Sequence, residues 1–156
     1  MNTLHPWERR VFIDTEFTDI AKPLLISLAM VAEDGPEFYA ELTYVDGCVC
    51  SAFVQANVLP QLGAYPTCVM TQDAMQEAAR NWMKALTGHK QRPVLCYDHP
   101  LDIQLLWDLL GKRAVGWKVK LISSRIDPVK KEEYFRLFGG RHHALHDARA
   151  NKFAYR

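Results

Sequence analysis

The sequence predicts an α/β domain whose mixed five-stranded sheet, three antiparallel strands followed by two parallel ones, is flanked by helices. Three observations predict it. Leu24 to Val31 is almost continuously apolar, as expected of a strand covered on both faces. Up to Tyr44, strand-like segments follow one another with turn signals between them; from Thr71 onward, helical and strand-like segments alternate. The length of 156 residues suits one domain, and no linker or repeat divides it, so residues 1–156 are read as a single domain.

Arg10 to Phe17 reads as the first strand and Leu24 to Val31 as the second. Asp34-Gly35 supplies a turn before Glu37 to Tyr44, which alternates polar and apolar residues like a half-exposed strand. These three make an antiparallel meander. Phe53 to Leu59 reads as a helix that ends at Pro60. Thr71 is a good N-cap for a helix carrying Met75, Ala79, Trp82 and Leu86, and Gly88 stops it. Pro93 to Tyr97 is a short buried strand, Pro100 opens a helix through Leu110, and Gly111 terminates that helix. Val119 to Ser123 is the fifth strand. Gly139-Gly140 breaks the chain before a last helix, His143 to Tyr155.

Apolar residues make up 49% and charged residues 24%, which excludes a disordered or fibrous chain. The longest apolar stretch, Leu24 to Ala32, is too short for a membrane helix, and Met1 to Arg10 holds no apolar leader. The expectation is a cytoplasmic protein with no membrane partner. Cys48, Cys50, Cys68 and Cys96 show no paired C-x2-C spacing and read as free thiols of a reducing compartment. The formal charge of +1 argues against coating nucleic acid by bulk electrostatics. That charge is uneven. Residues 1–127 carry 12 basic and 15 acidic side chains, residues 128–156 seven basic and three acidic. The basic end is either a solvated helix face or a phosphate contact.

Three clusters carry chemistry. Asp14 and Glu16, two apart on a strand, project from one face about 7 Å apart. They mark either the solvent face of an edge strand or a site that holds cations. Asp98 lies at the end of a buried strand, where α/β sheets hold ligands. Asp102, in the first turn of the next helix, either complements the helix dipole or joins that site. The third cluster is Arg141-His142-His143-Ala144-Leu145-His146-Asp147. His142 and Asp147 converge only if His142 stands outside the helix, since five helical residues turn through about 500°. His142 and His146 at i, i+4 also have the spacing of zinc ligands but lack further partners, and His143 and His146 read more simply as surface residues. Together the clusters offer an all-oxygen donor set with one imidazole, suited to Mg2+ or Mn2+ and to proton transfer.

In this order the clusters resemble the three motifs of the DEDDh exonuclease superfamily: D-T-E at Asp14 to Glu16, Asp98/Asp102, and H-x4-D from His142 to Asp147. Leu25-Ile26-Ser27, Val31-Ala32-Glu33-Asp34-Gly35, Val58-Leu59-Pro60 and Tyr97-Asp98-His99 are similar to phrases of its RNase AS-type bacterial branch, a group related to RNase T. The resemblance implies a ribonuclease H-like fold and hydrolysis of nucleic acid from the 3′ end to nucleoside monophosphates. It implies two ions, with Asp14 bridging both, Glu16 and Asp147 completing the first, Asp102 holding the second, and His142 as general base. In the RNase AS branch the acidic residue falls at Asp98 instead, so both positions stay in play, with Asp98 lining the site either way.

The same resemblance implies single-stranded RNA as substrate, DNA being the alternative, a homodimer, and a taste for adenylate tails. A silent binding module is the rival of a different class. Phe17, Thr18, Tyr97 and His99 are the candidate contacts to the terminal nucleotide, with core packing the simpler reading of Phe17, Tyr97, Trp107 and Trp117. Arg141, Arg149 and Lys152 are the candidates for phosphate.

Overall fold

A computed structural model describes residues 7–88 and 90–156. Residues 1–6, which are most of the stretch read above as lacking a leader, and His89 lie outside them. Strands β1 (Glu8–Phe17), β2 (Leu25–Ala32) and β3 (Glu37–Leu42) form the expected antiparallel meander. β4 (Val69–Met70) adds a parallel partner beyond β3. It makes the sheet six-stranded rather than five-stranded, and two residues are too few to carry a periodicity. β5 (Arg92–Tyr97) runs parallel to β1, and β6 (Lys118–Leu121) parallel to β5. The order across the sheet is β4-β3-β2-β1-β5-β6.

Among the described residues five helices flank it: α1 (Ala52–Asn57), α2 (Gln72–Leu86), α3 (Pro100–Leu110), α4 (Pro128–Phe138) and α5 (Ala144–Ala154). The expected caps are in place. The Thr71 hydroxyl accepts from the Ala74 amide, and Gly111 closes α3 in the left-handed conformation at φ 75°. α1 ends two residues before the expected Leu59, where a 3-10 turn over Leu59–Gln61 takes up Pro60. α4 is an element beyond those expected. Asp127 caps it by accepting from the amides of Val129 and Lys130, and Pro128 occupies its first turn.

Strand alternation divides the core into two layers. Val11 and Ile13 of β1 with Leu28 and Met30 of β2 face α2 and α3, meeting Met75, Ala79, Met83, Leu106 and Leu109. On the other face Ala29 and Val31 meet Ala144, Leu145 and Ala148 of α5, and Phe12 packs with Val94, Cys96, Ile122 and Tyr155. Ile26 through Ala32 are all at most 1% exposed, so the apolar run of β2 is the doubly covered strand its sequence describes. The α5 contact is made of small side chains, and this lets the helix lie close to β1 and β2. No helix among the described residues is long and apolar enough to cross a membrane.

Ala148 is fully buried against Ala29 and Val31. Ala148→Leu is expected to cost about 1–3 kcal/mol through overpacking, read as a lower midpoint in chemical denaturation with an unchanged slope.

Candidate active site

The α5-facing side of β1 continues from Phe12 to Asp14 and Glu16, so the two carboxylates point where α5 lies closest. Asp98 follows β5 beside them, Asp102 enters from the first turn of α3, and Asp147 from the first turn of α5. One oxygen each from Asp14, Glu16 and Asp147 lie within 4.8 Å of one another, as do one each from Asp14, Asp98 and Asp102. Asp14 belongs to both groups. Asp102 is 2% exposed, and its Oδ1 accepts from the Thr15 amide at 3.0 Å and the Thr15 hydroxyl at 2.6 Å. Asp14 Oδ2 and Asp102 Oδ2 are buried with no hydrogen-bond partner. These carboxylates, Thr15, Phe17, His99, Lys131, Phe135, Arg141 and His142 line one pocket of about 380 Å³.

Crowding governs the ionisation of these groups. Burial, then repulsion from Asp102, Asp147, Glu16 and Asp98, holds the Asp14 carboxyl well above the usual carboxylate range. Burial and the neighbouring Asp147 push Glu16 up to about 9. Burial raises Asp102 to about 7 against the hydrogen bonds from Thr15, with Asp98 adding repulsion. Asp147 rises to about 6 through burial, opposed by Lys131 and by a bond from the His142 backbone amide. His142 is lowered, first by desolvation and then by Arg141, and so is a neutral imidazole at pH 7. Buried, unpartnered carboxylate oxygens in two overlapping sets are a hard-oxygen donor arrangement that fits Mg2+ or Mn2+.

His142 stands ahead of α5, at φ 64°, as convergence with Asp147 requires. Phe17 also reaches the pocket. The β1–β2 register slips between Glu16 and Phe17, which breaks the alternation that would have turned Phe17 away. Its ring lies 6.3 Å from that of His99, which also caps α3 by accepting from the Leu101 amide. Arg141 lies at the rim, 2.6 Å from Glu132 and stacked over Phe135 at 4.4 Å.

Four residues singled out in the sequence stand elsewhere. Tyr97 alternates to the opposite face of the sheet, where it joins Trp107 and Trp117 around a separate cavity. The Thr18 hydroxyl bonds the Lys22 carbonyl and the Leu24 amide, shaping the turn between β1 and β2. Arg149 is held by Glu37 through two bonds of 2.9 and 2.6 Å, and Lys152 donates to the Ala32 carbonyl. His143 and His146 are not surface histidines. His143 is 5% exposed between Tyr39 and Tyr65, and His146 bonds the Tyr134 hydroxyl. Neither joins a metal-holding group among the described residues.

Lys131 and Phe135 escaped the sequence reading. Both come from α4, and Lys131 lies 3.1 Å from Asp98. The Asp127-Pro128 cap was the signal that would have located their helix.

Each raised carboxyl holds its proton to a higher pH in the folded chain than in the unfolded one. Between the ordinary range near pH 4 and the folded values, the folded chain binds more protons and loses stability as pH rises. The melting temperature of metal-free protein is expected to fall from about pH 5 to about pH 9, by calorimetry. Mn2+ competes with those protons, so it is expected to raise Tm more at the alkaline end than at the acid end. Asp14→Asn is expected to remove most of that Mn2+ effect.

No protein-family model matches the chain. A 54-residue segment, 34% of the chain, is 44% identical to a segment of the 3'-5' exoribonuclease Rv2179c of Mycobacterium tuberculosis and spans 32% of that protein's length. Among solved structures, the nuclease domain of 3'hExo, a DEDDh family member bound to rAMP, superposes with a TM-score of 0.63 at 16% identity, over 94% of this chain and 89% of that one. Cell-death related nuclease 4 superposes with a TM-score of 0.57 at 16% identity, over 94% of this chain and 62% of that one. Exonuclease I from Methylocaldum szegediense gives 0.60 at 12% identity, over 93% and 39%. The chain has the ribonuclease H-like fold of the DEDDh 3′–5′ exonucleases.

Proposed function

We propose that the protein is a metal-dependent 3′–5′ exoribonuclease that removes nucleoside 5′-monophosphates from the 3′ end of single-stranded RNA. The observation that carries this reading is the pair of carboxylate groups sharing Asp14, set in one pocket with a neutral histidine. Asp14, Glu16 and Asp147 would hold one divalent ion, and Asp14 with Asp102 and Asp98 a second. When bound, such ions supply charge neutralisation, an acidified water and a stabilised leaving oxygen.

The chain's own groups do the rest. His142 accepts the proton of the attacking water at an imidazole nitrogen, for which its lowered pKa keeps a lone pair free. Lys131 and Arg141 face the phosphate from the α4 side. Phe17, Phe135 and His99 pack against the terminal base and ribose. The choice of RNA draws on the partial relative, itself named an exoribonuclease. Mg2+ or Mn2+ as the ion, a cytoplasmic homodimer and one catalytic domain complete the reading.

The test is to incubate 3′-extended single-stranded RNA, and DNA of the same sequence, with Mn2+ or with EDTA. Monophosphate release from RNA in Mn2+ alone is expected. Asp14→Ala is expected to abolish it, and His142→Ala to slow it about 10²–10⁴-fold. Equal cleavage of DNA would remove the ribonuclease assignment, and no cleavage of either would leave a binding module. Comparing Asp98→Ala with Asp102→Ala identifies the second ion's main ligand, expected to be Asp102.

A further inference from the structure

His142 is the one non-glycine residue with positive φ among those described, at 64°. Left-handed backbone is unfavourable for a residue with a Cβ and persists where surrounding contacts hold it. The approach to it is loose by composition, since Gly139 and Gly140 precede it at φ 67° and 80°. Gly140 also cannot take a side chain, because the His146 ring fills that space.

What holds His142 is the peptide unit joining it to Arg141. The Arg141 carbonyl, which shares one plane with the His142 amide, accepts from Gln61 Nε2 at 2.6 Å. Because the peptide unit is planar, holding its oxygen restrains the amide and the His142 backbone with it. Gln61 sits in the 3-10 turn after α1, 80 residues earlier in the chain. Its nitrogen also donates to the Asn57 carbonyl at 2.8 Å, which occupies both amide hydrogens and stops the carboxamide from rotating. The Phe53 ring, also from this segment, meets the His142 ring edge-on at 4.8 Å.

We infer that Gln61 is a positioning residue, which fixes the Arg141–His142 peptide and thereby aims the His142 imidazole into the acidic pocket. Gln61 touches no carboxylate, and its one contact with a pocket-lining residue is the backbone carbonyl of Arg141, so it acts through the backbone that carries His142. The inference rests on the reading of His142 as the base.

The experiment compares wild type with Gln61→Met, which removes both donors at similar size, and Gln61→Lys, which restores donors. Gln61→Met is expected to lower kcat about 10–100-fold with KM and Mn2+ affinity unchanged, and Gln61→Lys to recover most of the loss. The Cα and Cβ chemical shifts of His142 by NMR report its backbone conformation without reference to activity, and they are expected to move in Gln61→Met and return in Gln61→Lys. Unmoved shifts overturn the inference, as does a kcat loss shared equally by both variants. If wild type releases no monophosphate, the exonuclease reading fails, and the NMR comparison alone decides whether Gln61 positions His142.

Discussion

Five carboxylates brought together at the end of a buried strand, with Asp14 in the middle, are the constraint on which the rest of this structure depends. Like charges at this spacing cannot all ionise in a dry site, and burial raises Asp14, Glu16, Asp102 and Asp147 together. Two features let the fold tolerate this. Asp102 spends one oxygen on the backbone and hydroxyl of Thr15, and Lys131 from α4 offsets Asp98. What remains is a deficit of positive charge opening onto solvent, which protons or divalent ions fill.

The basic end of the chain does not fill it. Arg149 is tied to Glu37, Arg141 to Glu132 and Arg156 to Asp127, while Lys152 caps a carbonyl of β2. The Arg149 and Lys152 contacts dock α5 against the sheet, and those of Arg141 and Arg156 tie α4 to the loop before α5 and to the chain's last residue. The helices then deliver Asp147 and Lys131 to the pocket, and the positive charge on them is largely consumed in holding them there. The net charge of +1 thus conceals a local arrangement in which the acidic centre stays acidic. His142 is the complement of that centre, a neutral imidazole on a backbone turn that is unfavourable unless its surroundings hold it.

Much of the architecture was legible because it follows local rules. A doubly covered strand is apolar throughout, a half-covered one alternates, and Thr71 and Gly111 mark helix ends through the hydrogen bonds their backbones require. Asp14 and Glu16 were legible as a same-face pair for the same reason. Where spacing alone did not place a side chain, a non-local event did. The register slip after Glu16 turned Phe17 toward the site. Continued alternation past Cys96 carried Tyr97 away from it. His143 became a core residue because Tyr39 and Tyr65 happen to close over it.

The sequence by itself determined the residue types of the site, their order and the elements that carry them, since strand period and helix caps are properties of neighbouring residues. Only the tertiary structure decided which oxygens meet around Asp14, that Lys131 and Phe135 share the pocket, and that Gln61 holds the His142 peptide from 80 residues away. Those facts depend on how closely α5 lies on Ala29 and how α1 and α4 close around the loop. Packing sets these distances, and packing is a property of surfaces that sequence spacing does not carry.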